Sequence, residues 1–415
     1  MTLSEELSWR GFVNQTTLTD IKLLDSHKFT FYWGVDPSAD SMTVGHLAMA
    51  MMVKHFIAHG QRAVLLVGGA TGMIGDPDGK AEERKLLSLA EIKANKTAIA
   101  EQYKRLFKGL EFRLVDNYDW FKDMKYLDFL RDVGKHVPMR QMLGREFVQT
   151  RLAEAGSGIS YAEFSYVLIQ AYDFLYMHQT LGVDMQVCGS DQWGNSVAGV
   201  DLIRRVTGNE THVWSGPLII NPQTGVKFGK TEAGAVWLDP NKTSPTNFYQ
   251  FWVNSDDAAV EHYLKIYTEL TEDEISKLMQ AHRLDPAKRL AQFRLADEVC
   301  TLVHGSTAMQ IAKTITNFLR DPYSVAHATN QELKYLRSEI AHTKTKLGDS
   351  IVKLLVDTGL AASNTAAKQL LSGGSVYINS KRVDADSLQP DDLVNGRAII
   401  RRGKSLKDSA LIEVS

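Results

Sequence analysis

Three scarcities limit the kind of protein that this sequence can encode. The chain has 415 residues but two cysteines, Cys188 and Cys300, and two thiols cannot form a disulfide framework or a thiolate zinc site. No apolar run reaches the length of about 18 residues that a bilayer span requires. The first residues, MTLSEELSWRG, carry acids early and lack an apolar core, unlike a signal or transit peptide. We therefore expect a cytoplasmic protein without a membrane span or a tightly bound metal.

A strong excess of one charge is also missing. The formal net charge is −2, so no global positive field marks the chain as a nucleic-acid binder, and any RNA contact must be local. Because 44% of the residues are hydrophobic, the chain can bury substantial cores. Its length predicts roughly two to four domains.

The stretch 31–47, FYWGVDPSADSMTVGHL, carries the first chemical signal. Its aromatic and β-branched start predicts a short strand, turn residues follow, and an apolar helical pattern begins after Gly45 and His46. In such a strand-loop-helix unit, backbone N–H groups and the positive end of the helix dipole can hold phosphate. Gly45 permits close approach of a ligand and His46 can donate to a phosphate oxygen. A capping histidine at a helix start is nevertheless the more common explanation.

A second unit follows at once. Residues 63–69, AVLLVGG, predict an apolar strand of parallel type, so the two units together predict a doubly wound α/β sheet. This strand leads into the glycine-rich stretch 69–80, which carries Asp76 and Lys80, with Arg84 just beyond. A flexible surface loop would have the same composition. Because the loop leaves a strand beside the first one, we favour a loop that covers a ligand, with an acid for an ammonium group and bases for phosphate.

The aromatic-rich stretch 161–178 predicts a helix with a polar stripe. Tyr166, Gln170 and Asp173 are spaced four and three residues apart, so they share one face. Such a stripe is either solvated or lines a polar pocket, and this helix alone leaves both possibilities open.

Two later turns carry charged residues that a nucleotide site could use. The strand predicted over 183–189 leads to Asp191, which could accept from ribose hydroxyls or could cap the next helix. Further on, Lys227 and Lys230 flank a glycine and could neutralise a departing pyrophosphate. Most lysines in such loops are merely solvated.

These weak signals become strong when four segments are taken together. The segments are 44–46, 69–80, 190–193 and 227–231. Together they resemble the bacterial tyrosyl-tRNA synthetases, a family of class I aminoacyl-tRNA synthetases, and the resemblance covers essentially the whole chain. Thr43 to His46 stands where class I enzymes carry His-Ile-Gly-His, and Lys227 to Thr231 stands for their Lys-Met-Ser-Lys-Ser loop. We call these stretches the first and the second signature.

Three positions depart from the family pattern. Thr43 replaces the first histidine of the first signature, and we expect its hydroxyl to donate to phosphate. Trp33 stands near the ribose, where a small residue is common, and Met49 lies in the next turn of the same helix.

The resemblance implies a reaction and its partners. The family joins L-tyrosine to ATP, which carries Mg²⁺, to form tyrosyl-adenylate and pyrophosphate, and then transfers tyrosine to the terminal adenosine of tRNA(Tyr). No protein nucleophile is needed, so catalysis would rest on positioning and on charge stabilisation in the transition state. A homodimer is implied as well.

The resemblance also implies roles for individual residues. Those implied to bind tyrosine are Tyr32, Asp76, Asn117, Tyr166, Gln170, Asp173 and Gln192, with Tyr32 and Asp173 holding the phenol. Those implied to bind ATP or the adenylate are Gly34, Asp36, Ser38, Gly45, His46, Gly189, Asp191 and Lys230. The implied catalytic and pyrophosphate-binding groups are Thr43, His46, Lys80, Arg84, Lys227, Lys230 and Thr231.

The implied fold is a doubly wound parallel Rossmann-type α/β sheet with a helical insertion, followed by an α-helical domain and a small α+β S4-like RNA-binding domain. We expect the catalytic domain over 1–220, with a helical dimerisation insertion at about 110–180, and the second signature with a linker over 221–245. The helical domain that approaches the anticodon would span 246–320, a polar linker 321–348, and the S4-like domain 349–415. Apolar residues of the insertion, including Phe129, Val133 and Phe147, could serve a dimer interface or an internal core.

The C-terminal segment is locally basic. Residues 364–407 contain eight Lys/Arg and four Asp, which leaves a charge of +4 on a chain that is acidic overall. The residues we expect to bind RNA are Lys368, Lys381, Arg382, Arg401, Arg402, Lys404 and Lys407. A basic surface without an RNA role is the simpler alternative.

Two other functions compete with the synthetase. One is a catalytically silent paralogue that binds structured RNA. In that case Thr43 and Trp33 would be substitutions that accompanied the loss of the reaction with ATP. The other is a related enzyme that activates tryptophan, which fits less well because Tyr32 with Asp173 suits a phenol.

Overall fold

The computed structural model describes residues 1–77, 86–153, 158–220, 225, 228–231, 234–403, 406 and 408–414. The chain forms two compact units, and we describe each by itself. Unit 1 comprises Met1–Lys242 and Asp256–Ala291, and unit 2 comprises Thr243–Ser255 and Gln292–Ser415. None of the helices in the described part of the chain has both the length and the apolar composition needed to cross a bilayer.

The helices and strands follow one another along the chain as follows. The α-helices are α1 Leu3–Arg10, α2 Leu23–Ser26, α3 Val44–Ala58, α4 Thr71–Ile74, α5 Leu89–Leu106, α6 Tyr118–Phe121, α7 Tyr126–Asp132, α8 Met139–Leu143, α9 Glu146–Leu152, α10 Tyr161–Leu181, α11 Trp193–Thr207, α12 Pro245–Val253, α13 Val260–Tyr267, α14 Glu272–Leu284, α15 Leu290–His304, α16 Ser306–Arg320, α17 Asn330–Glu339, α18 Ile351–Asp357 and α19 Asn364–Ser372. The strands are β1 Gln15–Thr16, β2 Thr30–Val35, β3 Arg62–Val67, β4 Phe112–Asp116, β5 Met185–Gly189, β6 His212–Gly216, β7 Lys230–Thr231, β8 Gly234–Ala235, β9 Ala341–Thr345, β10 Val376–Ile378, β11 Lys381–Arg382, β12 Arg397–Arg402 and β13 Ser409–Val414.

Unit 1 is built on a sheet with the strand order β1-β6-β5-β2-β3-β4. Short β1 is antiparallel to β6, whereas the other neighbours run parallel. The apolar runs in β2, β3 and β5 suit central strands that are covered on both faces. The doubly wound sheet predicted from the sequence is therefore confirmed.

Side-chain alternation along β2 assigns helices to the two faces of this sheet. Phe31 packs on Phe56 of α3, with ring centroids 5.1 Å apart, so α3 covers one face. Tyr32 points to the other face and packs on Phe174 of α10 at 5.2 Å. Trp33 returns to the first face, where its indole meets Tyr103 of α5 at 5.3 Å and is 4% exposed. The Trp33 ring therefore packs in the core, and Trp33 is also among the residues that line the cavity described below, so its expected position near the ribose stays a prediction.

The sequence-based boundaries need three corrections in unit 1. The polar pattern of residues 2–25 predicts a helical segment, but this segment also contains β1, which pairs with β6 at the edge of the sheet. The stretch expected to be a helical insertion begins with β4, which pairs with β3 and extends the parallel sheet. The apolar stretch 217–221 predicts a short strand, but residues 217–220 form no continuous strand, and Asn221 lies outside the described residues.

The helices within 126–152 bury part of their apolar surface inside unit 1. Val133 is fully buried and Phe129 packs beside it in the core against α10. The side chain of Phe147 lies outside the described part of the chain. A buried ion pair joins α9 to α10, because both amino groups of the Arg151 guanidinium donate to Glu163 at 3.0 and 2.9 Å.

The segment expected to be one helical domain, 246–320, is divided between the units. Helices α13 and α14 belong to unit 1, whereas α12 and α16 belong to unit 2. Arg10 of α1 explains the attachment of α13: its guanidinium donates to the main-chain oxygens of Lys265, Thr268 and Leu270 at 2.8 to 3.0 Å. These acceptors include carbonyl groups that a helix end leaves without partners.

Unit 2 contains a sheet with the order β11-β10-β12-β13-β9. Strand β9 is parallel to β13 and the other neighbours are antiparallel. This changes the interpretation of 321–348, which the sequence predicted as a polar linker. The stretch contains a short 3-10 helix at Pro322–His327, then α17 and β9, because Leu333 and Leu336 provide an apolar face that packs in the core of this unit.

Candidate active site

A cavity of about 650 Å³ opens at the carboxyl ends of β2 and β5. Strand order reverses between these two strands, which is where open α/β sheets bind ligands. The strands pair only at Phe31 with Met185 and at Tyr32 with Gln186, so beyond these pairs they separate and leave space. The residues lining the cavity include Tyr32, Gly34, Asp36, Ser38, Thr43, Gly45, His46, Asp76, Tyr166, Gln170, Asp173, Gly189, Asp191 and Gln192.

The two residues expected to hold a phenol are both buried. Tyr32 and Asp173 are each 1% exposed. Asp173 accepts hydrogen bonds from Asn117 Nδ2 at 3.0 Å and from Trp120 Nε1 at 2.9 Å. Burial raises the pKa of Asp173 well above its usual range, and the two hydrogen bonds oppose this shift. Burial, followed by the nearby charge of Asp173, raises the pKa of Tyr32.

Asn117 does not border the cavity, although the sequence placed it among the tyrosine-binding residues. Its side chain is fully buried behind Asp173. Besides its bond to Asp173, it donates to Thr71 Oγ1 at 3.0 Å and accepts from the Ala70 amide at 2.6 Å. Asn117 is therefore placed to orient Asp173 and the turn at Ala70.

Three polar atoms in the cavity wall are buried without a hydrogen-bond partner among the residues that the structure describes. They are Tyr32 OH, Gln170 Oε1 and Gln186 Oε1. Buried polar groups nearly always have partners, and an orphaned one carries a free-energy cost of about 1–3 kcal/mol. The cavity thus presents one hydroxyl and two amide oxygens in an arrangement that a polar ligand can satisfy.

Asp36 organises the neighbouring wall of the cavity. It accepts from Tyr166 OH at 2.7 Å and from Thr71 Oγ1 at 2.6 Å. Gly68 makes this possible, since a Cβ at that position would overlap both Asp36 and Thr71. Burial and the charges of Asp36 and Asp76 raise the pKa of Tyr166, which therefore stays a neutral donor. Asp36, expected at the ATP end, is bonded here to a residue expected at the tyrosine end.

A second carboxylate, Asp76, is positioned by hydrogen bonds from the start of α11 and the 3-10 turn before it. Gln192 Nε2 donates to Asp76 Oδ2, and Asn195 Nδ2 donates to Gln192 Oε1 at 3.1 Å. Asp36 and Asp76 therefore give this part of the cavity two carboxylates, which suit a cationic group.

The residues expected at the nucleoside end lie at the mouth of the cavity. Gly34 is exposed near the end of β2, Ser38 is exposed on the loop after this strand, and Asp191 is exposed on the 3-10 turn before α11. A Cβ at Gly189 would come within 2.6 Å of Asp191 Oδ1, so glycine is needed there for the carboxylate to keep its position.

The first signature begins α3. Thr43 is the N-cap, and the backbone N–H of Thr43 donates to His46 Nδ1 at 3.1 Å. Thr43 Oγ1 lies 3.0 Å from the same ring nitrogen. The simpler explanation of His46, a capping histidine, is therefore correct for Nδ1, while the ring also borders the cavity.

The second signature lies against the first. Gly229 has a φ of +86°, and a Cβ there would overlap a methyl group of Val44. The Val44 amide donates to the Val236 carbonyl at 3.1 Å, and the Val236 amide donates to the Gly229 carbonyl at 2.9 Å. Phe228 is 8% exposed and stacks on Tyr263 with centroids 4.2 Å apart.

Several expected phosphate ligands cannot be placed. Lys80, Arg84 and Lys227 lie outside the described residues, and so do the side chains of Lys230 and Thr231. Their expected roles stay predictions.

Three residues of the site were not predicted from the sequence. Thr71 lies within the glycine-rich stretch 69–80, and Trp120 lies in the stretch 116–120 of aromatic, acidic and amide side chains that begins at the end of β4. Gln186 is a polar residue in an otherwise apolar strand, and this is a signal that could have identified it.

Unit 2 carries a separate basic groove of about 690 Å³. It brings together Lys368 and Arg382, as expected, with Lys353, which was not predicted. A Cβ at Gly374 would overlap the Arg382 guanidinium, so a glycine at this position leaves room for the Arg382 side chain.

The other basic residues expected to bind RNA lie elsewhere in unit 2. Lys381 Nζ lies 5.9 Å from the ring centre of Tyr323, Arg401 lies over Tyr377, and Arg402 donates to Asp408 at 2.8 Å. These three residues do not line the groove. Lys404 and Lys407 lie outside the described residues.

Comparison with known proteins identifies relatives over most of the chain. The family model described as "tRNA synthetases class I (W and Y)" matches residues 24–320, and the model "Tyrosine--tRNA ligase SYY-like C-terminal domain" matches residues 332–407. The chain is 42% identical over 414 residues to a tyrosine--tRNA ligase of Geobacillus stearothermophilus, covering 97% of this chain and 98% of that protein.

Solved structures show the same similarity. A C-terminally truncated mitochondrial tyrosyl-tRNA synthetase of Aspergillus nidulans matches with a TM-score of 0.69 and 32% identity, covering 77% of this chain and 94% of that one. A tryptophanyl-tRNA synthetase of Encephalitozoon cuniculi matches with a TM-score of 0.54 and 13% identity, covering 80% of this chain and 91% of that one, which shows a shared fold.

Proposed function

The chain belongs to the class I tRNA synthetases for tryptophan and tyrosine, and on this premise we propose that it is a tyrosine--tRNA ligase. It activates L-tyrosine with ATP to tyrosyl-adenylate and pyrophosphate and then transfers tyrosine to the terminal adenosine of tRNA(Tyr). The family membership supports the reaction class, and the residues that line the cavity support the choice of tyrosine as the amino acid.

One observation supports tyrosine over its competitors. The buried Tyr32 hydroxyl has no partner among the described residues, and the Asp173 carboxylate lies near enough to raise its pKa. A phenol can accept from the hydroxyl of Tyr32 and donate to the carboxylate of Asp173. Phenylalanine would leave both groups without that partner, and an indole has no oxygen to accept from Tyr32.

The other end of the cavity suits the amino and carboxylate groups of a free amino acid. Asp76 and Asp36 supply negative charge for the ammonium, and Tyr166 and Gln170 supply further polar atoms. Held there, the substrate carboxylate can attack the α-phosphate of ATP with no protein nucleophile involved.

ATP would lie along the loop after β2 and the start of α3. Gly34, Gly45 and Gly189 keep this edge of the cavity open, and Asp191 can accept from a ribose hydroxyl. We assign the polyphosphate to His46 and to the lysines of the second signature. We expect Mg²⁺ to enter with ATP, as part of the substrate.

The proposal is tested by ATP–pyrophosphate exchange with the full chain and no tRNA, comparing tyrosine, phenylalanine and tryptophan. We expect exchange with tyrosine alone. Exchange with tryptophan alone would overturn the choice of amino acid. No exchange with any of the three would leave the RNA-binding paralogue as the better explanation.

Two matched variants locate the specificity. Tyr32→Phe removes the orphaned hydroxyl, and we expect kcat/KM for tyrosine to fall by roughly two- to tenfold while the value for phenylalanine does not fall. Tyr103→Phe removes another buried hydroxyl, which donates to the Leu66 carbonyl at 3.3 Å and does not itself line the cavity. This control should leave the ratio of tyrosine to phenylalanine unchanged.

We assign RNA contact in unit 2 to the groove containing Lys353, Lys368 and Arg382. Its three basic groups, which phosphate could contact, line the groove together with two carboxylates, Asp384 and Asp386. The variant Lys353→Gln with Lys368→Gln should weaken tRNA binding and flatten its salt dependence without changing exchange. Equal salt slopes for the variant and the parent would contradict the assignment.

We also propose a homodimer and a cytoplasmic location. The helices α7 to α10 leave large apolar side chains exposed, namely Tyr126, Leu127, Met139, Leu143, Leu152 and Tyr161. Leu127→Glu, at a side chain that is 75% exposed, should shift the protein to monomers in sedimentation velocity. The two buried, unbridged cysteines agree with a reducing compartment.

A further inference from the structure

Thr71 joins two carboxylates that border the cavity. Its hydroxyl oxygen accepts from Asn117 Nδ2 at 3.0 Å and donates to Asp36 Oδ1 at 2.6 Å. The same amide group of Asn117 donates to Asp173 Oδ2 at 3.0 Å. A continuous chain of hydrogen bonds therefore connects the carboxylate at the phenol end of the cavity with a carboxylate at the ammonium end.

The direction of each hydrogen bond in this chain is fixed. The Ala70 amide can only donate, and it donates to Asn117 Oδ1 at 2.6 Å, so Nδ2 is the atom that faces Thr71. One hydrogen of Nδ2 goes to Asp173 and the other to Thr71. A hydroxyl that accepts from an amide and lies beside a carboxylate donates its one hydrogen to the carboxylate. The proton on Thr71 Oγ1 is thus committed to Asp36.

Packing holds this hydroxyl and this carboxylate together. Thr71 is 2% exposed at the start of α4. Gly68 lies directly against the bond, since a Cβ there would overlap both the Asp36 carboxylate and the Thr71 hydroxyl. The other oxygen of Asp36 accepts from the Tyr166 hydroxyl at 2.7 Å. A donor on each oxygen restricts rotation of the carboxylate, so its negative charge has a defined place at the cavity.

We propose that Thr71 is a positioning residue for recognition of the substrate's ammonium group, and that it acts through Asp36. Its hydroxyl holds the Asp36 carboxylate where its negative charge attracts the ammonium. Donation from Asn117 polarises the hydroxyl and strengthens this bond. The inference rests on the proposed function and deepens it, because it adds Thr71 to the residues that select a free amino acid.

Two phenols isolate the contribution of the ammonium group. Tyramine and p-ethylphenol share the ring, the hydroxyl and the two-carbon chain, and only tyramine carries an ammonium. The ratio of their dissociation constants, measured by NMR titration of the full chain without ATP, gives the preference for tyramine. We expect Thr71→Val, which keeps the β-branched shape and removes the hydroxyl, to reduce this preference by roughly two- to tenfold. Thr71→Ser keeps the hydroxyl and should restore it.

A double-mutant cycle with Asp36→Asn tests the route of this effect. If Thr71 acts through Asp36, Thr71→Val causes no further loss of the preference once the carboxylate has been removed. A direct bond from the ammonium to Thr71 Oγ1 would instead make the two losses multiply, and this result would overturn the proposal.

Thr268 offers a matched control in unit 1. It is 2% exposed and does not line the cavity, and its hydroxyl donates to the Leu264 carbonyl at 2.6 Å and accepts from the Leu270 amide at 3.3 Å. Thr268→Val should lower the melting temperature and keep the parent's preference for tyramine. If Thr71→Val behaves in the same way, or weakens both phenols by the same factor, its hydroxyl has only a structural role and the proposal is wrong.

Kinetics and binding together separate this inference from the proposed function. In tyrosine-dependent exchange, Thr71→Val should raise KM for tyrosine and leave KM for ATP nearly unchanged. If the parent binds neither phenol, the choice of tyrosine fails and this inference fails with it. If the parent prefers tyramine and Thr71→Val keeps that preference, this inference fails alone and the proposed function stands.

Discussion

Replacing Asn117 by alanine should impair tyrosine recognition although Asn117 does not border the cavity. The change removes one of the two donors to the Asp173 carboxylate, leaving Trp120. A hydrogen bond to an ionised group contributes about 1.5–3 kcal/mol, which corresponds to roughly a 10- to 150-fold loss of kcat/KM for tyrosine. The variant should also be less stable, because the Ala70 amide loses its acceptor.

The pH dependence separates this mechanism from a packing defect. Burial raises the pKa of Asp173, and the hydrogen bonds from Asn117 and Trp120 lower it. The ionised carboxylate of Asp173 accepts from the phenol more strongly than the protonated acid does, so activity falls as pH decreases through this pKa. Removing a donor raises the pKa further, and the acidic limb of kcat/KM for tyrosine must therefore move to higher pH in Asn117→Ala.

The assay is tyrosine-dependent pyrophosphate exchange measured across the acidic range. Trp120→Phe removes the other donor and should move the limb in the same direction. Asn379→Ala is the control: Asn379 is 3% exposed, and its side chain donates to the Asp392 carbonyl and accepts from the Ile399 amide in unit 2. This control should lose stability and keep the parent's pH profile. A limb that moves to lower pH, or a loss that is uniform at every pH, would refute the reasoning.

Three further predictions concern other parts of unit 1. Gly229→Ala should abolish most exchange activity, because its Cβ would overlap the start of α3, whereas Gly225→Ala, also at positive φ (+66°) but with nothing within 4 Å, should retain it. Glu163→Gln should lower the free energy of unfolding by about 3–5 kcal/mol in urea titrations, since it leaves the buried Arg151 unpaired, and adding Arg151→Met should recover much of the loss. A hydrogen bond from His55, together with the charges of His55 and Arg10, lowers the pKa of Glu6 from 4.5 to about 2. The ionised Glu6 therefore stabilises the folded protein above pH 4.5, and this stabilisation is lost as the pH falls towards 2. Glu6→Gln should therefore be destabilised by about 2 kcal/mol at pH 6 in thermal melts, and the difference from the parent should shrink over that acidic window.

Patterns within short segments predicted the individual strands and helix faces, which depend on residues close together in the sequence. The aromatic run before the first signature forms β2, the next apolar run forms β3, and the three polar residues spaced along α10 share the face that borders the cavity. Strand alternation and the helical repeat involve residues a few positions apart, so the order of residue types is enough to predict them.

Pairing between distant segments could not be predicted in this way. Strand β4 lies where helices alone were expected, and β9 lies where a linker was expected, because each strand exists through its neighbour in a sheet. An edge strand with mixed polarity has little signal of its own. Its partner and register depend on the packing of the whole unit.

The sequence by itself determined the residue types of the site and the order in which they occur, and through the signatures it determined the family. Only the tertiary structure decided what each residue contacts. Gln186 faces the same cavity as Tyr32 because β2 and β5 pair at that point, although 153 residues of chain separate them. The hydroxyl of Thr43 meets an imidazole nitrogen because the first turn of α3 folds His46 back onto it. Contacts of this kind follow from register and side-chain geometry, which depend on the packed chain and not on any single segment.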